Sequence, residues 1–258
     1  MHTNINKYTM GKSVSIQTLV FVFFLGGLSA CSSMLANSDT PEGAFAVAQN
    51  YENSDRYEEA IQRYQEIKNK YPYSTFAIKS ELAIADVYYK QESFGEAQIA
   101  YQTFRELHPK HAQSDYVQYR YAMSIFSQLP DTIDRDLSLA PSAIKEFNQL
   151  AKEYPQSQYI QEANDKKQAC LRMLAEKEDY IASFYLKRKI YESALSRFED
   201  LYKKHKGLGF EAKALYGAAL SAHKLGIPDK FKLYSEELFT AYNNSEEANR
   251  LRKDLKNE

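Results

Sequence analysis

Apolar and polar residues recur along the chain in a pattern with helical spacing. One copy runs Tyr57-x-x-Ala60-Ile61-x-x-Tyr64-x-x-Ile67-x-x-x-Tyr71-Pro72, and a second runs Phe94-x-x-Ala97-x-x-x-Tyr101-x-x-Phe104-x-x-Leu107-His108-Pro109. A third reads Ala143-Ile144-x-x-Phe147-x-x-Leu150-x-x-x-Tyr154-Pro155, and a fourth Tyr191-x-x-Ala194-Leu195-x-x-Phe198-x-x-Leu201. Apolar positions at i, i+3 or i+4 and i+7 lie along one face of a helix. In the first three copies Pro follows Ala by twelve residues, where its missing N–H ends the helix. The small Ala near the start lets a partner helix approach closely. Partner helices are predicted between the copies, over 41–53, 74–91, 114–128, a long one within 157–188, and 210–225. A weaker fifth copy spans 231–242, and its ending Tyr242-Asn243-Asn244-Ser245 echoes Tyr71-Pro72-Tyr73-Ser74.

Successive Ala positions lie 37, 46 and 51 residues apart. A helix-turn-helix unit near 34 residues defines the tetratricopeptide class, so the wider spacings mark insertions. The expected architecture is all-α, a solenoid of about five helix pairs. Its N-terminal repeats occupy 41–128, an insertion and the start of the third repeat's second helix occupy 129–142, and the C-terminal repeats occupy 143–258. No pair can bury its apolar face alone, so neighbours stack and form a concave surface.

The first thirty residues follow another pattern. Lys7 and Lys12 precede an acid-free apolar run from Ile16 to Leu25, and small residues follow it. This reads as a secretory signal peptide, its apolar run being too short for a membrane span of about 20 residues. Leu28-Ser29-Ala30-Cys31 resembles a bacterial lipobox, with cleavage between Ala30 and Cys31 and lipidation of Cys31. A plain secreted protein with an incidental Cys is the alternative reading. Ser32, rather than Asp, follows the cysteine, which by resemblance to other lipoproteins predicts sorting to the outer membrane. Residues 31–40 are small and polar and suit a lipidated tether.

Composition then sharpens the picture. Of 258 residues, 44% are hydrophobic and 26% charged, which excludes a wholly disordered chain. Nine Gly and seven Pro are too few for a turn-rich β sandwich. A net charge of -1 removes the whole-chain argument for nucleic-acid binding. With Cys31 acylated, Cys170 is left without an intramolecular partner and reads as a small buried helix residue. The chain has 21 Tyr and 14 Phe but no Trp, and most of these rings suit the large core positions of the repeats.

Catalytic chemistry is missing from the pattern: there is no nucleophile elbow, no phosphate-cradling glycine loop and no Cys/His pair. Neither an enzyme nor a cofactor is expected. His108-Pro109-Lys110-His111 has metal-like spacing, but Pro places it in a repeat turn and no third ligand is nearby, so no metal is expected. Glu58-Glu59 and Glu236-Glu237 read as solvated helix faces. What remains is a groove. The 114–128 helix begins Asp115-Tyr116-Val117-Gln118-Tyr119-Arg120-Tyr121, and a buried stripe of Val117, Tyr121 and Ile125 leaves Tyr116 and Tyr119 on a neighbouring face. With Tyr88, Tyr89 and Lys90, the set Tyr88, Tyr116, Tyr119 and Arg120 would form an aromatic and cationic site for an extended peptide or a terminal carboxylate. Plain packing between repeats is the competing reading of these tyrosines.

Several segments together resemble the BamD (ComL) family of lipoproteins from the β-barrel assembly machinery. They are Tyr88-Tyr89-Lys90, His108-Pro109-x-His111 followed by Asp115-Tyr116-Val117-x-Tyr119, Asp134-Arg135-Asp136, Tyr154-Pro155-x-Ser157-x-Tyr159, Leu174-Ala175-x-x-Glu178 and Arg197-x-Glu199. The resemblance runs from about residue 41 to the end. It implies a scaffold that binds the POTRA region of BamA through its C-terminal repeats, with Arg197 and Glu199 as contact candidates. It also implies that the N-terminal repeats take targeting peptides of outer-membrane proteins, that a lipid anchor holds the chain at the periplasmic face of the outer membrane, and that other Bam lipoproteins are potential neighbours. The chain departs from the family at Tyr121, where Arg is common, at Leu137 for Pro, at Lys189 for Gly, and at His205-Lys206 for a fourth Tyr-Pro. A different tetratricopeptide lipoprotein, coordinating envelope or cell-division partners, is the alternative function.

Overall fold

The computed structural model describes residues 39–257; the expected signal peptide, cleavage site and lipidated Cys31 lie outside them. Eleven helices follow one another among the described residues: α1 (Pro41–Asn53), α2 (Tyr57–Lys70), α3 (Thr75–Lys90), α4 (Phe94–Leu107), α5 (Ser114–Phe126), α6 (Ala140–Glu153), α7 (Ile160–Lys187), α8 (Tyr191–Lys204), α9 (Glu211–Lys224), α10 (Pro228–Ala241) and α11 (Glu246–Lys256). The first ten form five antiparallel pairs, and each helix packs on the next. The chain is therefore an all-α tetratricopeptide solenoid. The fifth pair's second helix begins at Pro228, before the apolar pattern becomes visible at Phe231. Beyond the five pairs stands α11, whose three apolar residues form one short stripe outside the repeat pattern. Its start was nonetheless marked, because Ser245 caps α11 by accepting from the Ala248 N–H at 3.1 Å, much as Ser74 accepts from the Phe76 N–H at 3.1 Å at the start of α3.

Alanines make the close packing possible. Ala60, Ala97, Ala143 and Ala194 of the second helices are fully buried, as are Ala48, Ala85, Ala122, Ala182 and Ala219 of the first helices. The helices α8 and α9 approach so closely that a Cβ on Gly217 would lie 2.2 Å from the Phe198 ring.

Two kinds of turn alternate. Four first helices end on a left-handed residue: Asp55 (φ 56°), Glu92 (φ 61°), Lys189 (φ 62°) and Gly226 (φ 67°). In each case the next N–H reaches back to a carbonyl of the last turn, as from Arg56 to Tyr51 and from Ile190 to Tyr185, which satisfies a carbonyl the helix end would leave unpaired. Second helices end on Tyr71, His108, Tyr154, His205 and Tyr242, all with φ between −131° and −123°. Pro imposes that geometry on the residue before it in three cases; His205 and Tyr242 adopt it without Pro, so the cap conformation rather than proline is the shared stop.

The wider spacings have separate causes. Residues 127–139 form the insertion between α5 and α6, pinned by the buried Leu137 and by the Lys177 ammonium donating to the Arg135 carbonyl. The second comes from α7, which has 28 residues and a length of about 42 Å at 1.5 Å per residue. Its first half, through Ala163 and Cys170, closes the central core; its second half, through Ala175 and Ala182, opens the C-terminal one. Cys170 is fully buried and its thiol is pushed up to about 11 by that burial, so it stays neutral and unreactive.

Candidate functional site

First helices of neighbouring pairs touch across the repeat boundary at α1–α3, α5–α7, α7–α9 and α9–α11, while second helices make no comparable contact with one another. The first helices therefore line the inner, concave side. At α3–α5 the backbones make no such close approach, and long side chains bridge the space instead.

Arg120 lies with its guanidinium 3.9 Å from the centre of the Tyr89 ring and 5.7 Å from that of Tyr116. Asp86 of α3 accepts the Tyr101 hydroxyl at 2.5 Å and the Tyr116 hydroxyl at 2.7 Å, both on the same oxygen. Tyr89 reaches the Ser127 hydroxyl at 3.1 Å. Burial raises the Asp86 carboxyl above its usual range, against the pull of the two tyrosine hydroxyls and the Arg120 charge. Burial likewise raises the Tyr116 phenol, helped by the Asp86 charge. The Nε of Arg120 is buried without a hydrogen-bond partner, an arrangement that costs roughly 1–3 kcal/mol. Lys90, at the end of α3, pairs with Glu52 of α1, which also accepts the Tyr64 hydroxyl at 2.6 Å.

The structure thus brings Tyr116 and Arg120 together with Tyr89. Tyr88 is partly buried and packs into the cores on both sides of α3. Tyr119 is 5% exposed and stacks on Tyr159 at 4.6 Å with an interplanar angle of 10°. Tyr121, Val117 and Ile125 form the buried stripe expected of α5, with the Arg105 guanidinium 4.5 Å from the Tyr121 ring centre. Sequence reasoning missed Asp86, the anion around which the tyrosines gather. Its signal was a lone acid within the apolar run Leu82-Ala83-Ile84-Ala85-Asp86-Val87. It also missed the buried bridge from Arg105 to Gln118 at 2.5 Å and to Glu146 at 3.2 Å, which locks α4, α5 and α6 beside an outer cleft of about 440 Å³.

Arg197 and Glu199 do not converge. Arg197 on α8 holds the two Glu178 oxygens of α7 at 3.2 and 3.3 Å through one nitrogen. Glu199 faces α10, where it accepts the Tyr234 hydroxyl at 2.7 Å and pairs with Lys230 at 2.7 Å. Buried or not, other expected surface groups also have packing partners. His108 bonds Glu81 at 2.6 Å, and the His111 ring meets the Phe104 edge. Glu237 is a correction to the solvated pair, since the Tyr202 hydroxyl donates to it across α8 and α10. Among the described residues no group of His, Cys, Asp or Glu could hold a metal ion, and no helix is long and apolar enough to cross a membrane.

Fold and site together define a helical-repeat scaffold with an aromatic and cationic cluster between α3 and α5 on its inner side. A family model described as YfiO, outer membrane lipoprotein, matches residues 37–238, and the chain belongs to that family. Among its relatives, the outer membrane protein assembly factor BamD of Neisseria meningitidis serogroup A is 28% identical over 218 residues, covering 78% of this chain and 82% of that protein. The protein of the same name from Vibrio cholerae is 26% identical over 224 residues, covering 83% and 93%. That of Rickettsia prowazekii is 27% identical over 190 residues, covering 74% and 75%.

Proposed function

We propose that this chain is an outer-membrane protein assembly factor, a lipid-anchored periplasmic scaffold held by Cys31 in the outer membrane. In this reading its C-terminal repeats hold the BamA POTRA region at Arg197, and its N-terminal repeats receive outer-membrane-protein peptides at the α3–α5 opening. The observation that carries the peptide reading is Arg120, a cation between two aromatic rings with one buried nitrogen unpartnered. A terminal carboxylate would complete the guanidinium, and an aromatic side chain would lie against Tyr89 and Tyr116. Tyr88 and Tyr119 act from behind, by fixing α3 and α5.

Affinity purification from detergent-solubilised outer membrane tests the scaffold; BamA is expected to travel with the chain, and its absence would refute this role. Fluorescence anisotropy tests the groove. An aromatic-ended peptide with a free carboxylate is expected to bind, and its amidated form without the aromatic residue to bind about ten-fold more weakly, as for a lost charge-assisted contact. Equal affinities would remove the groove while leaving the scaffold standing.

A further inference from the structure

The C-terminal half carries a second groove on the inner side, with a volume of about 910 Å³, bounded by α7, α9 and α11 and floored by α8. Leu186, Tyr191 and Leu220, each half-buried, give it an apolar base. Around that base stand Lys187 and Lys189 at the end of α7 and Arg250 on α11, while Lys213 and Lys224 of α9 also line it, Lys213 being paired with Asp179 of α7. Three acids also line it, but Asp254 is engaged by the Tyr216 hydroxyl at 2.8 Å. Arg250 lies 4.9 Å from the centre of the buried Tyr216 ring, which holds its guanidinium at the wall of the groove.

Lys189 supplies an independent observation. It occupies the left-handed turn position, with φ 62°, at which the neighbouring repeat has Gly226. Glycine adopts that conformation without steric cost, while a lysine there is strained. Asp55 and Glu92 occupy the same turn position in the first two pairs, so the conformation belongs to the shared turn, and what sets Lys189 apart is that its side chain lines the groove.

We propose that this groove binds an extended acidic peptide segment of a partner protein. Side chains of an extended chain alternate, so carboxylates would meet Lys189 and Arg250 on the walls while apolar residues between them face Leu186 and Leu220. The cations surround the groove from several elements rather than forming one flat face, which suits a strand laid between helices better than an anionic membrane surface. The site is separate from the α3–α5 opening and does not depend on that assignment.

A fluorescein-labelled peptide of alternating glutamate and leucine, titrated against the full-length protein in neutral detergent, provides the test. Binding is expected to weaken with added salt, and replacement of glutamate by glutamine should abolish it. Lys189→Gly and Arg250→Gln should each weaken binding by about five-fold, the loss of one partly exposed charge contact, while Lys232→Gln on α10 should have no effect. Since Lys189→Gly relieves strain, its melting temperature should rise, which separates lost binding from lost folding. Equal binding of the glutamine peptide, unaltered binding by Lys189→Gly, or displacement of the peptide by phosphatidylglycerol vesicles would overturn the proposal.

Discussion

Asp86 joins the second and third pairs of the solenoid, because one of its oxygens accepts a hydroxyl from α4 and another from α5. Its carboxyl is raised above the ordinary range by burial. An acid with a raised folded-state pKa binds a proton in the fold where the unfolded chain has already lost it. Its share of stability is therefore fully present below about pH 4, the unfolded value, and declines as pH rises through the raised one. Asp134 and Asp136 are lowered, Asp134 chiefly by the Thr132 side chain and Asp136 by Ser138; their contributions change with the opposite sign. Asp86→Asn keeps an oxygen for both tyrosines and removes the titration. Urea midpoints of wild type and Asp86→Asn, measured from about pH 3.5 to neutrality, should therefore diverge, with the variant gaining on the wild type as pH rises. Parallel curves would mean that Asp86 ionises in the fold as freely as in the unfolded chain.

At the scale of the helix, packing is set by small residues placed where two axes come closest. Gly217 is such a place on α9, because Phe198 occupies the position its Cβ would take. Ala has higher helix propensity than Gly by about 1 kcal/mol, so on an open helix face Gly217→Ala would stabilise. Here overpacking, at about 1–3 kcal/mol or more, outweighs that gain; thermal denaturation of Gly217→Ala should show a lowered midpoint with native helical circular dichroism. The paired helices were legible in the sequence because each copy keeps the same spacing within its apolar stripe. Lone α11 was not, since a short helix rich in charge leaves only Ala248, Leu251 and Leu255 facing the C-terminal core. The groove was half legible for a related reason. Composition singled out α5 as rich in Tyr and Arg, but helical phase alone left Tyr119 on the same side as Tyr116. The Tyr159 ring, which arrives from the turn before α7, draws Tyr119 into the core, and no local pattern encodes that contact.

At the scale of the molecule, three apolar cores succeed one another among the described residues, the N-terminal one meeting the central core at α3 and the C-terminal one taking over along α7. Side-chain pairs on the surface of these shared helices contribute to cohesion, and since the proposed function also gives Arg197 a partner, the two roles must be separated there. Arg197→Glu would set two carboxylates facing each other, since Glu178 is only 17% exposed and its cation would be gone. A lost partner after that substitution would have two explanations, a missing contact or a loosened α7–α8 pair. Exchanging the charges, as Glu178→Arg with Arg197→Glu, restores the internal ion pair while reversing the charge offered outward. If Arg197 serves the POTRA region directly, the exchanged protein should melt close to wild type yet retain BamA poorly on co-purification, because reversing an interfacial charge costs several kcal/mol. If Arg197 serves only the fold, Arg197→Glu should lose BamA and the exchange should recover it. Thermal melting and co-purification on the two variants, side by side, distinguish these cases, and recovery of BamA by the exchange would move the contact away from Arg197.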